Sequence, residues 1–364
     1  MKTAIIHYWL VSMRGGEKML EALLEIFPQA DIYTHVINPR EVSSVINSKR
    51  IFTSQINKLP FAKKLYQLYL PLMPDALLDF DLSGYDLIIS SEAGPAKGVV
   101  ANPGAFHVCY CHSPMRYVWD MYHDYLKNAN PFVRFFMKRF VPKIRLWDVT
   151  SSNLVDRFIT NSGYVAKRIK RIYNREAEVV YGPASIEAYI NTERNPADYY
   201  LYFGQITCYK KADIAIEACI KSGRKIVVAG GGADKKLIKK YSNNSLAVFK
   251  GRVSQDEACS LFSRARALLF PGIEDLGLVP IEAQAAGCPV IAYRGGGALE
   301  TIKENITGVF FDEQTPQSLI AAIDNFEKNF IVQSREVFND HVKIFSKAAF
   351  IERVQKVISD RKSL

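Results

Sequence analysis

The sequence lacks any stretch of about 18 or more uninterrupted apolar residues, which a membrane-spanning helix would require. It contains six cysteines but no Cys-x-x-Cys pair, and Cys109 and Cys111 would point to opposite faces of a strand. A zinc site is therefore not expected, and a reducing compartment fits this cysteine usage. The N-terminus is too short and too polar for a signal peptide, so we expect a cytoplasmic protein.

Several nucleotide-binding motifs are missing or incomplete. There is no Gly-x-x-x-x-Gly-Lys-Ser/Thr motif, which argues against an ATPase. The run Gly230-Gly231-Gly232 resembles a dinucleotide fingerprint, but position 235 is lysine instead of the third glycine, so hydride transfer is disfavoured. The Asp79-Phe80-Asp81 triplet resembles a metal-binding motif. However, it precedes a Ser-Gly turn and a strand, and a solvated loop is the better interpretation.

Acidic residues are fewer than basic ones, and the formal net charge is +10. This excess favours an anionic partner without choosing among nucleic acid, lipid headgroups and a phosphorylated substrate. The segment 134–145 has five basic residues and no acidic ones, interleaved with aromatic side chains. Such a helix could lie at an anionic bilayer surface. A helix packed on the core with a solvated basic face is the alternative.

The 364 residues exceed the usual size of one domain, and apolar strands alternate with helical stretches throughout. This alternation predicts an α/β fold with two Rossmann-like domains, each a doubly wound parallel sheet, facing a central cleft. We expect an N-terminal domain over 1–183, a polar, proline-punctuated linker, and a second domain over 197–346. The C-terminal segment 347–364 is expected to be helical and to return to the first domain.

The segment 270–293 has the order strand, loop, helix, strand, and its helix should end at Gly287. Glu274 lies in the loop and Glu282 near the helix start, so the two carboxylates can address different parts of one ligand. Unpaired N–H groups and the helix dipole favour anions at a helix start. We interpret this segment as a nucleotide-sugar site. An ordinary strand–helix unit with two surface glutamates would not account for a loop carboxylate beside Leu276-Gly277-Leu278.

Short motifs in both halves accompany the two glutamates. They are Gly-Gly-Glu-Lys (15–18), Ser-Ser-Glu (90–92), His-Ser-Pro-Met-Arg-Tyr (112–117), Thr-Asn-Ser (160–162), Tyr-Phe-Gly (202–204), Lys-Gly-Arg-Val-Ser (250–254), Ala-Gly-Cys-Pro (286–289) and Gly-Gly-Gly-Ala-Leu-Glu-Thr (295–301). With them the chain resembles, over nearly its whole length, the retaining glycosyltransferases of family 4, also called group 1, which have the GT-B architecture. The runs at 112–117 and 295–301 look most like the mannosyltransferase branch of bacterial surface polysaccharide synthesis.

The resemblance implies a role for each residue of the second half. Glu282 would hold the ribose hydroxyls, and Glu274 would contact the donor sugar near its anomeric carbon. Lys210 would meet the diphosphate, and the neighbouring Lys211 could share that role. A fixed cation and helix N–H groups stabilise the departing diphosphate, so no metal cofactor is expected. The further donor-binding candidates are Gln205, Arg252, Val253, Asp275, Leu276, Gly277, Leu278, Gly15 and Gly16.

Gln205 departs from the family pattern, because an arginine usually follows the glycine of that strand. Its absence removes one fixed charge from the phosphate site. Either Lys211 or Arg252 compensates, or the diphosphate is held more weakly. Gln205 could still donate a hydrogen bond, and its alternative role is to cap the end of the strand.

His112 matches the family's histidine beside the donor sugar, and with Glu274 and Lys210 it completes the predicted catalytic set. A histidine at an apolar strand end can also be purely structural, but the following Ser-Pro turn places His112 at the cleft. Gly15 and Gly16 would let the backbone approach the phosphate or the acceptor, or would simply form a tight turn. Arg116 and Tyr117 are candidates for the acceptor side.

The resemblance thus implies transfer of a hexose, expected to be mannose from GDP-mannose, to a lipid-linked or oligosaccharide acceptor in O-antigen or capsule-type polysaccharide synthesis. The expected partners are the nucleotide-sugar donor, that acceptor and the cytoplasmic face of the inner membrane, without nucleic acid. A UDP-sugar donor and a nucleotide-sugar epimerase of the same fold remain open. A basic nucleic-acid-binding protein is the alternative that is not an enzyme, and it would bind in a salt-sensitive way.

Overall fold

The computed structural model describes residues 1–232 and 235–360. The chain forms two compact units: Met1–Gly182 together with the C-terminal segment from Phe350, and Pro183–Ala349. Residues 184–196, for which a linker was predicted, are part of the second unit. Positions 361–364 of the predicted C-terminal segment lie outside the described residues, as do positions 233 and 234 after the glycine run.

In the described part of the chain, the first unit has a seven-stranded sheet in the order β3-β2-β1-β4-β5-β6-β7. Neighbouring strands pair in parallel, as expected for apolar runs separated by helices. The strands are β1 Thr3–His7, β2 Asp31–Thr34, β3 Ile51–Thr53, β4 Leu87–Glu92, β5 Phe106–Cys111, β6 Arg157–Thr160 and β7 Ala177–Val179.

Helices of very different length connect these strands. The longest is α6, which begins with proline at its first position and is capped by Asn130, whose side chain accepts from the Val133 N–H group. The helices before β7 are α1 Gly15–Ile26, α2 Ser44–Asn47, α3 Ala62–Leu65, α4 Met73–Ala76, α5 Tyr122–Asn128, α6 Pro131–Ser151 and α7 Gly163–Tyr173. Three-residue to seven-residue 3-10 helices lie at Gln55–Lys58, Tyr66–Leu72, Leu77–Asp79 and Ser152–Leu154.

The second unit has a six-stranded parallel sheet in its described part, with the order β10-β9-β8-β11-β12-β13. Its strands are β8 Tyr200–Phe203, β9 Ile226–Ala229, β10 Ala247–Gly251, β11 Leu268–Phe270, β12 Val290–Tyr293 and β13 Gly308–Phe311. Its helices are α8 Ala212–Lys221, α9 Lys235–Tyr241, α10 Gln255–Arg264, α11 Leu278–Ala285, α12 Ala298–Thr301, α13 Pro316–Asn329 and α14 Arg335–Val342, with 3-10 helices at Ile186–Ala188, Cys208–Lys210 and Lys343–Phe345.

The last helix, α15 Lys347–Ser359, contributes its apolar side to the first unit. Phe350, Val354 and Val357 are buried in the same core cluster as Ile5 and Leu23. A helix from the end of the chain therefore completes a core that begins with the first strand.

Both sheets are doubly wound, so the fold class predicted from the alternation of strands and helices is confirmed. In each sheet the strand order reverses once, between β1 and β4 in the first unit and between β8 and β11 in the second. Open α/β sheets bind ligands beyond the carboxyl ends of the strands at such a reversal. These two places hold the residues described next.

Candidate active site

Lys210 and Glu274 meet where the second sheet reverses its order. Lys210 ends the 3-10 helix after β8, and Glu274 lies in the loop after β11. The Lys210 Nζ atom is 2.8 Å from Glu274 Oε1, and both side chains are largely shielded from solvent. The predicted phosphate-binding cation and the predicted sugar-binding carboxylate thus form an ion pair in one unit.

Glycines allow the loops around this pair to touch through their backbones. Gly230 has a φ of 127°, and a Cβ atom there would lie 2.0 Å from the Gly204 carbonyl oxygen. A Cβ at Gly272 would lie 2.8 Å from the Cα atom of Lys210. Larger residues at these positions would push the loops apart, so the glycines set the position of Lys210.

The glycine run after β12 holds the Glu274 loop from the other side. The Gly297 N–H donates to the Glu274 carbonyl oxygen at 2.9 Å. Cβ atoms at Gly296 and Gly297 would come within 2.5 Å of the Glu274 carbonyl oxygen and within 2.4 Å of the Leu276 Cα atom, respectively. The motif at 295–301 therefore supports the backbone that carries Glu274, Asp275 and Leu276.

Gly277 precedes α11 in a left-handed conformation, with φ of 87°, and Leu278 is the first residue of the helix. Glu282 lies in the second turn of α11, on a different element from Glu274, as predicted. Burial first, and then the charge of Glu282, raises the pKa of Tyr189. The charge of Glu282 thus acts on Tyr189, a buried residue that was not selected from the sequence.

The remaining donor-binding candidates occupy loops around the ends of β8 and β10. The Gln205 side chain is exposed, and the backbone carbonyl oxygen of Gln205 accepts from the Tyr202 hydroxyl at 3.1 Å. Lys211 has a left-handed φ of 54° immediately before α8. Arg252 packs its side chain over Gly231, where a Cβ atom would lie 3.1 Å from Arg252 Nε, and Val253 follows it. Arg252 is thus the basic candidate held against the glycine run after β9.

In the first unit, His112 follows β5 and bonds to a serine on β4. His112 Nε2 is 3.0 Å from Ser91 Oγ, and Ser91 Oγ is 2.9 Å from Nδ1 of His7 at the end of β1. Burial lowers the pKa of His112 to about 3, with the nearby His7 acting in the same direction and Glu17 in the opposite one. His112 is therefore a neutral ring at neutral pH and cannot supply a proton as an acid.

The turn that carries Gly15 and Gly16 packs next to His7 and Tyr8. A Cβ atom at Gly16 would lie 2.7 Å from the Tyr8 hydroxyl, so the absence of a side chain makes room for Tyr8. Gly15 is the first residue of α1. These glycines belong to the unit that contains His112, whereas the other donor-binding candidates belong to the second unit.

Arg116 and Tyr117 lie in the segment between β5 and α5. The Tyr117 hydroxyl is buried and makes no hydrogen bond within the described residues. Arg168 fixes the start of this segment by donating to Ser113 Oγ at 2.8 Å, and it pairs with Asp120 at 2.5 Å. The segment that carries both acceptor-side candidates is therefore clamped near each end.

A buried charge cluster beneath this segment was missed by the sequence analysis. Lys97 Nζ contacts Glu92 Oε1 at 2.6 Å and also Asp148 Oδ1, and all three side chains are fully buried. Asp148 also accepts from Trp119 Nε1 and from the Tyr173 hydroxyl. Burial opposes the charge of Lys97, but Asp148 and Glu92 outweigh it and raise the pKa of Lys97. The Ser-Ser-Glu motif contained Glu92, but nothing in the sequence indicated its two partners.

Within residues 1–232 and 235–360, no group of three His, Cys, Asp or Glu side chains is arranged to hold a metal ion. The same part of the chain contains no helix both long and apolar enough to cross a membrane.

Family models match the two halves of the chain. Residues 13–187 match the Glycosyltransferase Family 4 model, and residues 187–344 match the Glycosyl transferases group 1 model.

Curated relatives match over shorter regions. An uncharacterized glycosyltransferase of Methanocaldococcus jannaschii is 28% identical over 53% of this chain and 55% of its own length. The alpha-1,3/1,6-mannosyltransferase ALG2 of Saccharomyces cerevisiae is 33% identical over 32% of this chain and 26% of its own length. A GDP-mannose-dependent phosphatidylinositol monomannoside mannosyltransferase of Mycobacterium tuberculosis is 32% identical over 28% and 29%. The matches thus span between 26% and 55% of these relatives.

Solved structures match over the whole chain. Alr3699/HepE of Anabaena, in complex with UDP, has a TM-score of 0.70 at 15% identity and covers 99% of this chain and 100% of its own. Sucrose-phosphate synthase of Thermosynechococcus elongatus has a TM-score of 0.73 at 16% identity and covers 100% of both chains. These likenesses establish the shared fold.

Proposed function

The chain is made of a Glycosyltransferase Family 4 domain followed by a Glycosyl transferases group 1 domain in the GT-B fold, and from this premise we propose that it is a retaining glycosyltransferase. It transfers a hexose, with mannose from GDP-mannose as the preferred donor, to a hydroxyl of a lipid-linked or oligosaccharide acceptor of surface polysaccharide synthesis. The observation that carries this proposal is the Lys210–Glu274 pair beside the start of α11. Mannose as the sugar is supported by the mannosyltransferases among the relatives.

The reaction breaks the bond between the anomeric carbon and the diphosphate. The electron pair stays on the phosphate oxygen, and the acceptor oxygen bonds to the same face of the sugar while its proton passes to the departing diphosphate. Negative charge grows on that diphosphate, and Lys210 with the N-terminal end of α11 would stabilise it. Once the diphosphate engages Lys210, the Glu274 carboxylate becomes available to accept from sugar hydroxyls. Glu282 would accept from the ribose hydroxyls.

A UDP-sugar donor is the second candidate, favoured by the UDP complex of the Anabaena neighbour. A thermal-shift screen of GDP-mannose, UDP-glucose and an ADP-sugar distinguishes the two candidate donors. A transfer assay with and without an oligosaccharide acceptor follows the screen. We expect GDP-mannose to stabilise the protein most, and we expect product to form only when the acceptor is present. Turnover of the donor without acceptor, giving an isomeric nucleotide sugar, would instead indicate an epimerase.

Substitutions test the residue roles in that assay. Lys210→Ala should lower turnover by roughly one to three orders of magnitude, the range for losing a group that stabilises developing charge. Lys225→Ala is the matched control, because Lys225 also pairs with a carboxylate of the second unit but lies at the surface. Normal turnover of Lys210→Ala would move its role to Lys211 or Arg252.

Glu282→Ala should weaken nucleotide-sugar binding, whereas Glu313→Ala at an exposed position of the same unit should not.

The acceptor is proposed to be lipid-linked because the first unit presents apolar side chains among basic ones. Phe132 and Phe135 of α6 are 65% and 66% exposed, and the neighbouring Arg134, Lys138 and Arg139 are exposed as well. Sequence positions 125–147 contain no carboxylate. Large aromatic side chains beside basic groups bind the interface of an anionic bilayer. The protein would therefore act as a peripheral enzyme on the cytoplasmic face of the inner membrane.

A second segment of the first unit also presents an exposed apolar side chain beside basic ones and contains no carboxylate. Positions 42–74 contain no carboxylate, and Phe61 is 75% exposed next to Lys63 and Lys64. Leu70 of this segment packs against the apolar cluster that includes Met137 and Phe140 of α6. The two segments are thus neighbours and can meet one bilayer together.

Vesicle flotation tests this membrane partner. Binding should be strong to phosphatidylglycerol-containing vesicles and weak to phosphatidylcholine alone. The double change Phe132→Ser with Phe135→Ser should reduce binding at least about tenfold, since each ring buries apolar surface in the interface. Ile331→Ser, at an equally exposed apolar position of the second unit, should leave binding unchanged. Equal binding of all three proteins would exclude α6 as the contact.

A further inference from the structure

A line of buried polar side chains leads from the start of α1 to His112. The Glu17 carboxylate is held by the Arg14 N–H, which donates to Oε2 at 2.8 Å. Glu17 Oε1 lies 3.7 Å from His7 Nε2, and His7 Nδ1 is 2.9 Å from Ser91 Oγ. Ser91 Oγ is in turn 3.0 Å from His112 Nε2. Glu17, His7 and Ser91 are each at most 2% exposed, so water does not compete for these contacts.

The Glu17 carboxylate at one end of this line decides which atom donates and which accepts in each contact along it. Burial acts to raise the pKa of Glu17, but the His7 ring and the backbone N–H groups of Glu17 and Arg14 outweigh it and lower that pKa. An ionised carboxylate next to a buried ring nitrogen favours a hydrogen on that nitrogen, here Nε2 of His7. When the His7 ring is uncharged and its hydrogen is on Nε2, Nδ1 carries a lone pair and accepts the Ser91 hydroxyl hydrogen. Ser91 Oγ is left to accept from His112 Nε2.

We propose that Glu17, His7 and Ser91 are positioning residues that hold His112 as the tautomer with hydrogen on Nε2, leaving Nδ1 as an acceptor for a substrate hydroxyl. In the part of the chain that the structure describes, His112 Nδ1 makes no hydrogen bond. The rings of Tyr110 and Tyr8 flank His112, with centroids 5.0 and 6.4 Å away, and limit its rotation. The ring therefore offers one fixed lone pair.

The chemical consequence concerns what His112 can recognise. A fixed lone pair on a neutral ring selects a ligand group that donates a hydrogen, such as a sugar hydroxyl, and discriminates against a group that only accepts. The low pKa of His112 agrees with this role, because an acid or a cation at this position would present a hydrogen instead. The assignment of that ligand as a sugar rests on the proposed function, but the tautomer does not.

Nitrogen-15 NMR of the full chain, labelled at histidine, tests the tautomer directly. The His112 signals are identified by their loss in His112→Gln. We expect a protonated Nε2 and a bare Nδ1 for His112. His107 provides an internal reference in the same spectrum, because its Nδ1 lies 2.9 Å from the Leu154 carbonyl oxygen and must carry the hydrogen there. Hydrogen on Nδ1 of His112, or an equal mixture of both tautomers, would overturn the proposal.

Two variants separate positioning from general packing. Ser91→Ala breaks the line, and Glu17→Gln removes the charge while keeping the shape, so both should convert His112 to a mixture of tautomers. Ser90→Ala is the matched control: Ser90 Oγ bonds to His107 Nε2 at 2.9 Å on the same strand, and its loss should leave the His112 signals unchanged. A His112 tautomer that stays fixed in both Ser91→Ala and Glu17→Gln would contradict the positioning role.

The glycosyl-transfer assay adds a second, independent readout. Ser91→Ala should lower kcat/KM about tenfold, the effect of losing one oriented buried hydrogen bond, whereas Ser90→Ala should leave it unchanged. If the NMR result holds but no sugar is transferred by the unaltered protein, the proposed function fails and the positioning line stands. If transfer occurs with His112 in the other tautomer, the line fails and the function stands.

Discussion

At the scale of single residues, Lys210 is already paired with the Glu274 carboxylate. An anion that binds Lys210 would have to replace this carboxylate, so Glu274 would lower the affinity of Lys210 for anions. The ammonium group is 2.8 Å from Glu274 Oε1, so a diphosphate that binds Lys210 as proposed would compete with Glu274 for it. Both residues were predicted from the sequence to lie at the donor site, but their ion pair was not predicted. Their separation of 64 positions gave no information on whether the two side chains touch.

Glu274→Gln should therefore have opposite effects on binding and on turnover. Removing the competing charge should tighten binding of a nucleoside diphosphate by about three- to tenfold, while turnover falls because the sugar hydroxyls lose a charged acceptor. Titration calorimetry with GDP and UDP, together with the transfer assay, measures both quantities. Glu304→Gln, which removes a surface partner of Arg294 in the same unit, is the control and should change neither. Weaker diphosphate binding in Glu274→Gln would contradict the competition.

At the scale of elements, the buried Glu92, Lys97 and Asp148 cluster ties together parts of the first unit that are distant in sequence. Glu92 ends β4, Lys97 lies in the following loop, and Asp148 comes from α6. Tyr173 of α7 and Trp119 of the segment between β5 and α5 complete the cluster through Asp148. The cluster thus fixes the base of the segment that carries Arg116 and Tyr117.

Lys97→Met should destabilise the first unit strongly, because it leaves two buried carboxylates without their cation. Breaking a buried ion pair costs about 3–5 kcal/mol. Urea unfolding followed by tryptophan fluorescence measures this unit alone, since the three tryptophans, Trp9, Trp119 and Trp147, all lie in it.

Lys170→Met provides the control, because Lys170 forms an exposed pair with Glu176 in the same unit and should contribute less than about 1 kcal/mol. Asp148→Asn keeps the shape of the side chain and supplies a milder test if Lys97→Met does not fold. Equal unfolding midpoints for Lys97→Met and Lys170→Met would show that the cluster does not stabilise the unit.

At the scale of the whole molecule, buried neutral histidines give the first unit a characteristic dependence on pH. Burial lowers the pKa of His35 and of His107 to about 4 and that of His112 to about 3. In the unfolded chain these rings titrate near pH 6.5. Below that pH the unfolded state binds protons that the folded state does not. The stabilisation is therefore complete above about pH 6.5 and is lost as the pH falls toward 4.

Each of these histidines should add about 1.4 kcal/mol per pH unit to the loss of unfolding free energy in that window. Tryptophan-detected thermal melts between pH 7.5 and 4.5 measure the slope for the first unit. His107→Gln should reduce the slope by about one histidine's contribution without changing its sign. An unchanged slope in this variant would mean that His107 binds its proton over the same pH range in the folded and the unfolded chain.

The sequence by itself determined the two parallel sheets, the end of the α11 helix before Gly287 and the placement of Glu274 and Glu282 on different elements. These features are local, because strand and helix periods and turn residues act within about ten positions of one another. The short strand β3 and the helices between 44 and 76 were not predicted, since their apolar segments are too brief to show a period.

Only the tertiary structure decided which polar residues meet in the core. His7 and Ser91 are 84 positions apart, and Lys97 and Asp148 are 51 apart, yet each pair is in direct contact. The physical reason is that a buried charge or ring nitrogen is stable only beside its partner, and the partner is chosen by strand order and helix packing. Periodicity indicates that a residue is buried, but it carries no information about what lies against it.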